Sequence, residues 1–158
     1  MGKRIKPGKL ISFMVLFILA AAVVVIVFKA VYKPPYNSSE VKAFREMLSE
    51  QYKELKKLKF YHNVNGYNIE VSLASLENKE KIIESIKDFS ASEAFVSKAE
   101  AFYTEKYGDI LSEAQMDIYK MRIVIELMEN GACTEQYIAK APYDSWHFND
   151  YSYLRKSD

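Results

Sequence analysis

The sequence predicts a small α+β domain behind an N-terminal transmembrane helix, with a mostly α fold as the alternative. Three observations predict it. Residues 10–28 are nineteen consecutive uncharged side chains. Apolar residues recur at helical spacing from Val41 to Leu58 and again from Ile82 to Tyr103. Two Asn-Gly dipeptides, Asn65-Gly66 and Asn130-Gly131, each border a stretch of alternating apolar and polar residues, the pattern of a hairpin with one buried face.

At about 1.5 Å per residue the uncharged run spans about 28 Å as a helix, close to the roughly 30 Å of bilayer hydrocarbon. A helix also pairs every backbone polar group within one segment. The expected span is drawn to 10–32, because Lys29 can snorkel, Tyr32 and Tyr36 fall at an interface, and Pro34-Pro35 stop the helix. Lys3, Arg4, Lys6 and Lys9 precede it, which makes 1–9 a basic cytoplasmic stub and places the C-terminal domain outside the cytoplasm, in the manner of a signal-anchor. A cleaved signal peptide ending at Ala20-Ala21-Ala22 is disfavoured: the run exceeds the ~7–15 apolar residues of such a segment and continues to Phe28. Residues 33–38 then form a juxtamembrane linker and 39–158 the extracytoplasmic domain. Met1-Gly2 lacks the Ser or Thr that myristoylation needs, Lys6 standing there. Asn37-Ser38-Ser39 matches a glycosylation sequon but reads as the start of a helix.

Asn37-Ser38-Ser39-Glu40 has the form of a capping box, and Val41, Phe44, Leu48, Leu55 and Leu58 follow at helical spacing, so the first element is a helix over 39–57. Its stripe covers only about two and a half heptads, short of a coiled coil. It docks on its own domain or serves self-association as a dimer seam. Residues 59–73 form a hairpin around Asn65-Gly66 that buries Tyr67, Ile69, Val71 and Leu73. Ile82, Ile83, Ile86 and Phe89 mark a second helix. Ser90-Ala91-Ser92-Glu93 begins a third, which buries Phe95, Val96, Ala99, Phe102 and Tyr103 and stops at a left-handed Gly108.

Residues 116–127 have two readings. A helix capped at Ser112 aligns Met116, Tyr119, Ile123 and Leu127; a strand aligns Met121, Ile123, Ile125 and Leu127. The β-branched run Ile123-Val124-Ile125 favours the strand. Asn130-Gly131 closes a second hairpin that returns through Cys133, Glu135, Tyr137 and Ala139. Two antiparallel hairpins, joined as one four-stranded sheet, pack on the helices, since a lone hairpin is marginal in water.

The chain carries 22 basic and 21 acidic side chains, but residues 34–158 hold 16 basic against 21 acidic. An acidic domain of this kind argues against nucleic acid as a partner. One cysteine makes neither an intrachain disulfide nor a zinc cluster. His62 and His147 lack metal-ligand spacing, and the scattered glycines form no phosphate loop, so no metal or cofactor is expected. Cys133 follows a tight turn, with no helix N-terminus or basic cluster expected beside it to activate the thiol; it reads as a small apolar filler or idle thiol. His62 reads as a surface partner across strands. Glu46/Glu50 and Glu80/Glu84 fall on solvated helix faces. No catalytic residue is assigned.

The C-terminal segment is unusually aromatic: Tyr143, Trp146, Phe148, Tyr151 and Tyr153 lie within eleven residues. A disordered end is depleted in such side chains. The segment either folds back over a sheet edge or stands as an exposed platform for a protein or glycan, and it is the candidate binding surface. A basic leader ending at Gly8 before an apolar run resembles the start of a type IV pilin. Phe13 stands where that family carries glutamate, however, and Pro34-Pro35 break the helix, so no family is assigned. The expected function is that of a single-pass membrane-anchored, non-catalytic binding or accessory protein of the cell envelope, touching the lipid bilayer through 10–32 and an envelope protein through its domain. A membrane-tethered enzyme with an unrecognised site near Cys133 or a histidine, and a pilin-like assembly subunit, are the alternatives.

Overall fold

The computed structural model describes residues 14–21, 23, 33–142 and 144–152. The chain divides into two units, 1–32 and 33–158. In the first, residues 14–21 and 23 are helical. No helix among the described residues is long and apolar enough to cross a membrane. This overturns the transmembrane helix over 10–32, and with it the single-pass signal-anchor placement and the cytoplasmic N-terminus. Residues 1–13, 22 and 24–32, on which much of that expectation falls, lie outside the described residues.

The second unit runs α1 (Ser39–Gln51), β1 (Leu55–Asn63), β2 (Gly66–Leu73), α2 (Lys79–Ala91), α3 (Glu93–Tyr107), α4 (Glu113–Tyr119), β3 (Arg122–Glu129), β4 (Ala132–Lys140) and β5 (His147–Asp150). All the strands form one five-stranded mixed sheet in the order β1-β2-β3-β4-β5. The class is α+β, but the architecture of two hairpins in a four-stranded sheet is corrected, and the mostly α alternative falls. β2 and β3 are parallel from Tyr67↔Ile123 to Val71↔Leu127, while the other neighbours are antiparallel. Three helices stand between β2 and β3 and return the chain to the end of the sheet where β2 began, the long crossover that parallel strands require.

Local chemistry explains the boundaries. Leu55 and Leu58 keep helical spacing, yet α1 closes when the Tyr52 amide donates to the Leu48 carbonyl at 2.9 Å, and β1 follows. Residues 116–127 hold both readings in succession. Ser112 and Gln115 make a reciprocal capping box that starts α4, Met121 reverses the chain at φ 125°, and β3 begins at Arg122. The Asn-Gly pairs make different turns. Asn130 and Gly131 are both left-handed, at φ 47° and 83°, whereas in the first hairpin the positive φ falls on Gly66 alone, at 111°. There Asn63 Oδ1 accepts the Asn65 amide at 2.8 Å. Gly108 is right-handed, at φ −57°, rather than left-handed.

One face of the sheet is the core. Phe60, Tyr67, Ile69, Val71, Ile123, Ile125 and Leu127 meet residues of α1, α2 and α3. Phe44 of α1 stacks on Phe89 of α2, ring centroids 4.0 Å apart. Val41, Phe44 and Leu48, the stripe that would form a dimer seam, are buried in this core.

Candidate functional site

The C-terminal segment folds back as β5 at the edge of the sheet beside β4. After β4 the Asp144 amide donates to the Lys140 carbonyl at 3.0 Å, and the chain returns with Asp150 opposite Glu135 and His147 opposite Ile138. Side chains alternate across a sheet, so this register sets Phe148 opposite Tyr137 on the face that carries the helices. Their rings lie 5.0 Å apart. Trp146 packs half-buried against the core. From α2 the Lys87 ammonium lies 4.7 Å from the Tyr137 ring centre and 5.9 Å from that of Trp146, within cation–π reach of both.

Charged groups frame this shelf. Lys87 pairs with Glu84 at 2.7 Å. The Tyr137 hydroxyl donates to Glu135 at 2.9 Å, and Glu135 is paired with Lys79, the first residue of α2, at 2.9 Å. Burial, then the neighbouring Glu135 carboxylate, pushes the Tyr137 phenol above its usual range, so it stays protonated as a donor. The Glu135 contact raises the Lys79 ammonium. Phe148 remains 54 % exposed at the rim. Flat apolar surface beside a fixed cation can hold a partner surface.

The aromatics singled out in the sequence are divided by the pleat. Trp146 and Phe148 share the shelf. Tyr151 lies on the opposite face, where its amide donates to the Thr134 carbonyl at 2.7 Å and its hydroxyl to Gln136 at 3.4 Å. Tyr143 and Tyr153 lie outside the described residues. Tyr137 and Lys87 complete the shelf but were not among the candidates. Tyr137 reads in the sequence as one more inward residue of β4, and no local pattern around Lys87 announces two rings above it.

Nucleophile and bases stay apart. The Cys133 thiol donates to the Glu135 carbonyl at 3.3 Å, and burial together with Glu126 pushes it up. His62 is buried, not a surface partner, and its Nδ1 lies 2.7 Å from the Tyr107 hydroxyl. Burial, and secondarily Lys106, lowers its pKa to about 4. Register aligns His62 with Ala139 across three strand pairs, and Ala139 is about 20 Å along β4 from Cys133. His147, opposite Ile138, is about 16 Å along the strand from it. Among the described residues no group of three His, Cys, Asp or Glu side chains could hold a metal ion.

A depression of about 520 Å³ opens where the open end of the first hairpin meets the Asn130-Gly131 turn of the second, beside the Lys57–Glu70 ion pair of 2.7 Å. Two smaller ones flank β1. Comparison of the chain with protein-family models, with curated proteins and with solved structures finds no match in any of the three.

Proposed function

We propose that the protein is a non-catalytic binding module that engages a partner protein through the shelf formed by Tyr137, Trp146 and Phe148. The observation that carries this reading is Phe148, which stays 54 % exposed while its ring lies tilted against Tyr137 with centroids 5.0 Å apart. Tyr and Trp anchored beside an exposed ring are the side-chain types that dominate interface energetics, because they bring large contact area at small rotamer cost. The Lys79–Glu135–Tyr137 chain of contacts supports the reading by fixing the ring before a partner arrives.

The test is photo-crosslinking in the producing cell, with a photoreactive phenylalanine analogue at position 148 of the full chain and at exposed Asp109 as control. A discrete crosslinked protein at 148, absent at 109 and lost in Trp146→Ala, supports the reading. Crosslinking that is the same at both positions, or none at 148, defeats it.

A further inference from the structure

We propose that the open edge of β1, at the other end of the sheet from the aromatic shelf, is a docking site for an extended acidic segment of a partner protein. That segment adds to the sheet as a further strand beside residues 55–60.

The backbone sets the geometry. The His62 amide donates to the Pro34 carbonyl at 3.0 Å, and the Phe60 carbonyl accepts the Tyr36 amide at 2.8 Å. Register is unbroken from Lys57 to Asn63, so Leu58, Phe60 and His62 aim their backbone groups away from β2, and only the bulge between Leu55 and Lys57 interrupts the alternation. The same alternation points the Leu58 amide and carbonyl and the Phe60 amide outward, and the described residues supply them no partner. The edge already accepts a strand: Pro35 bridges Tyr61 in antiparallel sense. Beyond Tyr36 the chain leaves for the N-cap of α1 at Ser38, and among the described residues no strand pairs with β1 beside Leu58.

The length beside Leu58 is a groove rather than a flat rim. A depression of about 220 Å³ separates Arg45, Glu46 and Ser49 of α1 from residues 55–58. One of about 250 Å³ continues from Arg45 and Asn37 along residues 59–61. Arg45 lines both, so strand edge and helix wall run together for the length of a short strand.

Charge selects the occupant. Lys56 and Lys59 are exposed on this edge, and among the described residues neither they nor Arg45 meet a carboxylate; Arg45 donates to Asn37 Oδ1 at 3.1 Å. Lys57 is held by Glu70. A second copy of β1 would bring Lys56, Lys57 and Lys59 against their own kind, which is how edge strands resist self-pairing. An extended segment with acidic side chains at alternate positions meets the opposite field, while the main chain supplies the hydrogen bonds common to strand addition. The basic edge is unusual within a domain whose acidic side chains outnumber basic ones by 21 to 16 over residues 34–158.

The experiment is a selection of random eight-residue displayed peptides against the full chain. Synthesised winners are then titrated while backbone amide exchange is followed by NMR. The expected winners carry acidic residues at alternate positions, lack proline, slow exchange at the Leu58 and Phe60 amides, and lose roughly tenfold or more in affinity to Lys59→Glu and Arg45→Glu. Lys59→Gln, an exposed neutral change, weakens binding less, and Phe148→Ala leaves it unchanged. Three results overturn the proposal: no acidic peptide enriched, bound peptides that leave Leu58 and Phe60 exchange unaltered, or a concentration-dependent dimer that protects those amides instead.

Discussion

His62 Nδ1 and the Tyr107 hydroxyl lie 2.7 Å apart between β1 and α3, where the imidazole is 4 % exposed. The contact ties the sheet edge to the longest helix described in the domain. Burial, then Lys106, lowers the imidazole pKa from 6.5 to about 4. In the unfolded chain the ring binds a proton near pH 6.5, so its contribution to stability is complete above that pH, falls as pH drops through this window, and is gone below about pH 4. The span corresponds to about 3 kcal/mol. Urea denaturation at pH 7 and pH 4 should show His62→Phe losing about that much less than the parent over the same interval. Equal losses in the two proteins would mean that the ring is solvated.

Gly66 joins the first hairpin to the parallel strand. Its φ is 111°, and a Cβ there would stand 2.2 Å from the Arg122 carbonyl oxygen. Gly131, at φ 83°, has open space within 4 Å. Gly131→Ala therefore meets backbone strain alone, about 1–2 kcal/mol. Gly66→Ala must in addition push β2 and β3 apart where their pairing begins at Tyr67 and Ile123, and costs about 3 kcal/mol or more. Denaturation midpoints of the two variants check the order, and a Gly66→Ala no worse than Gly131→Ala would contradict the close approach.

These relationships also show which parts of the fold a sequence exposes. The alternation from Tyr67 to Leu73 and the Ile82/Ile83/Ile86 stripe are local signals that answer to local geometry, and they are legible in the sequence. The end of α1 was not, because Leu55 and Leu58 fit a helix as well as a strand and the change of backbone is set by packing. The parallel pairing of Ile69 with Ile125 joins residues 56 apart in the chain and leaves no short-range trace. β5 has only four residues, His147–Asp150, too few for a period. Its aromatic content was visible, but which ring faces which side depends on the register with β4. Tyr107 gives no sign of meeting His62, since the two lie 45 residues apart in the chain and meet only when α3 packs on the sheet.

Cys133 offers a chemical check of burial. Its thiol is pushed up by desolvation and by Glu126, and it donates to the Glu135 carbonyl. Because the thiolate is the nucleophile, the folded protein should react with iodoacetamide at pH 7.5 at least about tenfold more slowly than the urea-unfolded chain. Cys133→Ser should fold with little change, since a hydroxyl can donate to the same carbonyl. Labelling as fast in the folded state as in the unfolded would show a thiolate that the surroundings of β4 do not predict.

Trp146 is the chain's single tryptophan, so its emission reports on the shelf directly. Lys87 lies 5.9 Å from its ring, and the indole packs half-buried on the core. Lys87→Met removes a partly shielded cation–π contact worth about 0.5–1 kcal/mol and should change Trp emission without unfolding the domain. Trp146→Ala should cost about 2 kcal/mol, less than the ~3–5 of a fully enclosed aromatic. Phe148→Ala, at a position 54 % exposed, should stay within about 0.5–1 kcal/mol of the parent in urea denaturation. The contrast between neighbours separates the two roles on the shelf: Trp146 holds β5 against the sheet, and Phe148 is left for a partner. A Phe148→Ala as destabilising as Trp146→Ala would make both rings structural and leave the proposed binding surface without its anchor.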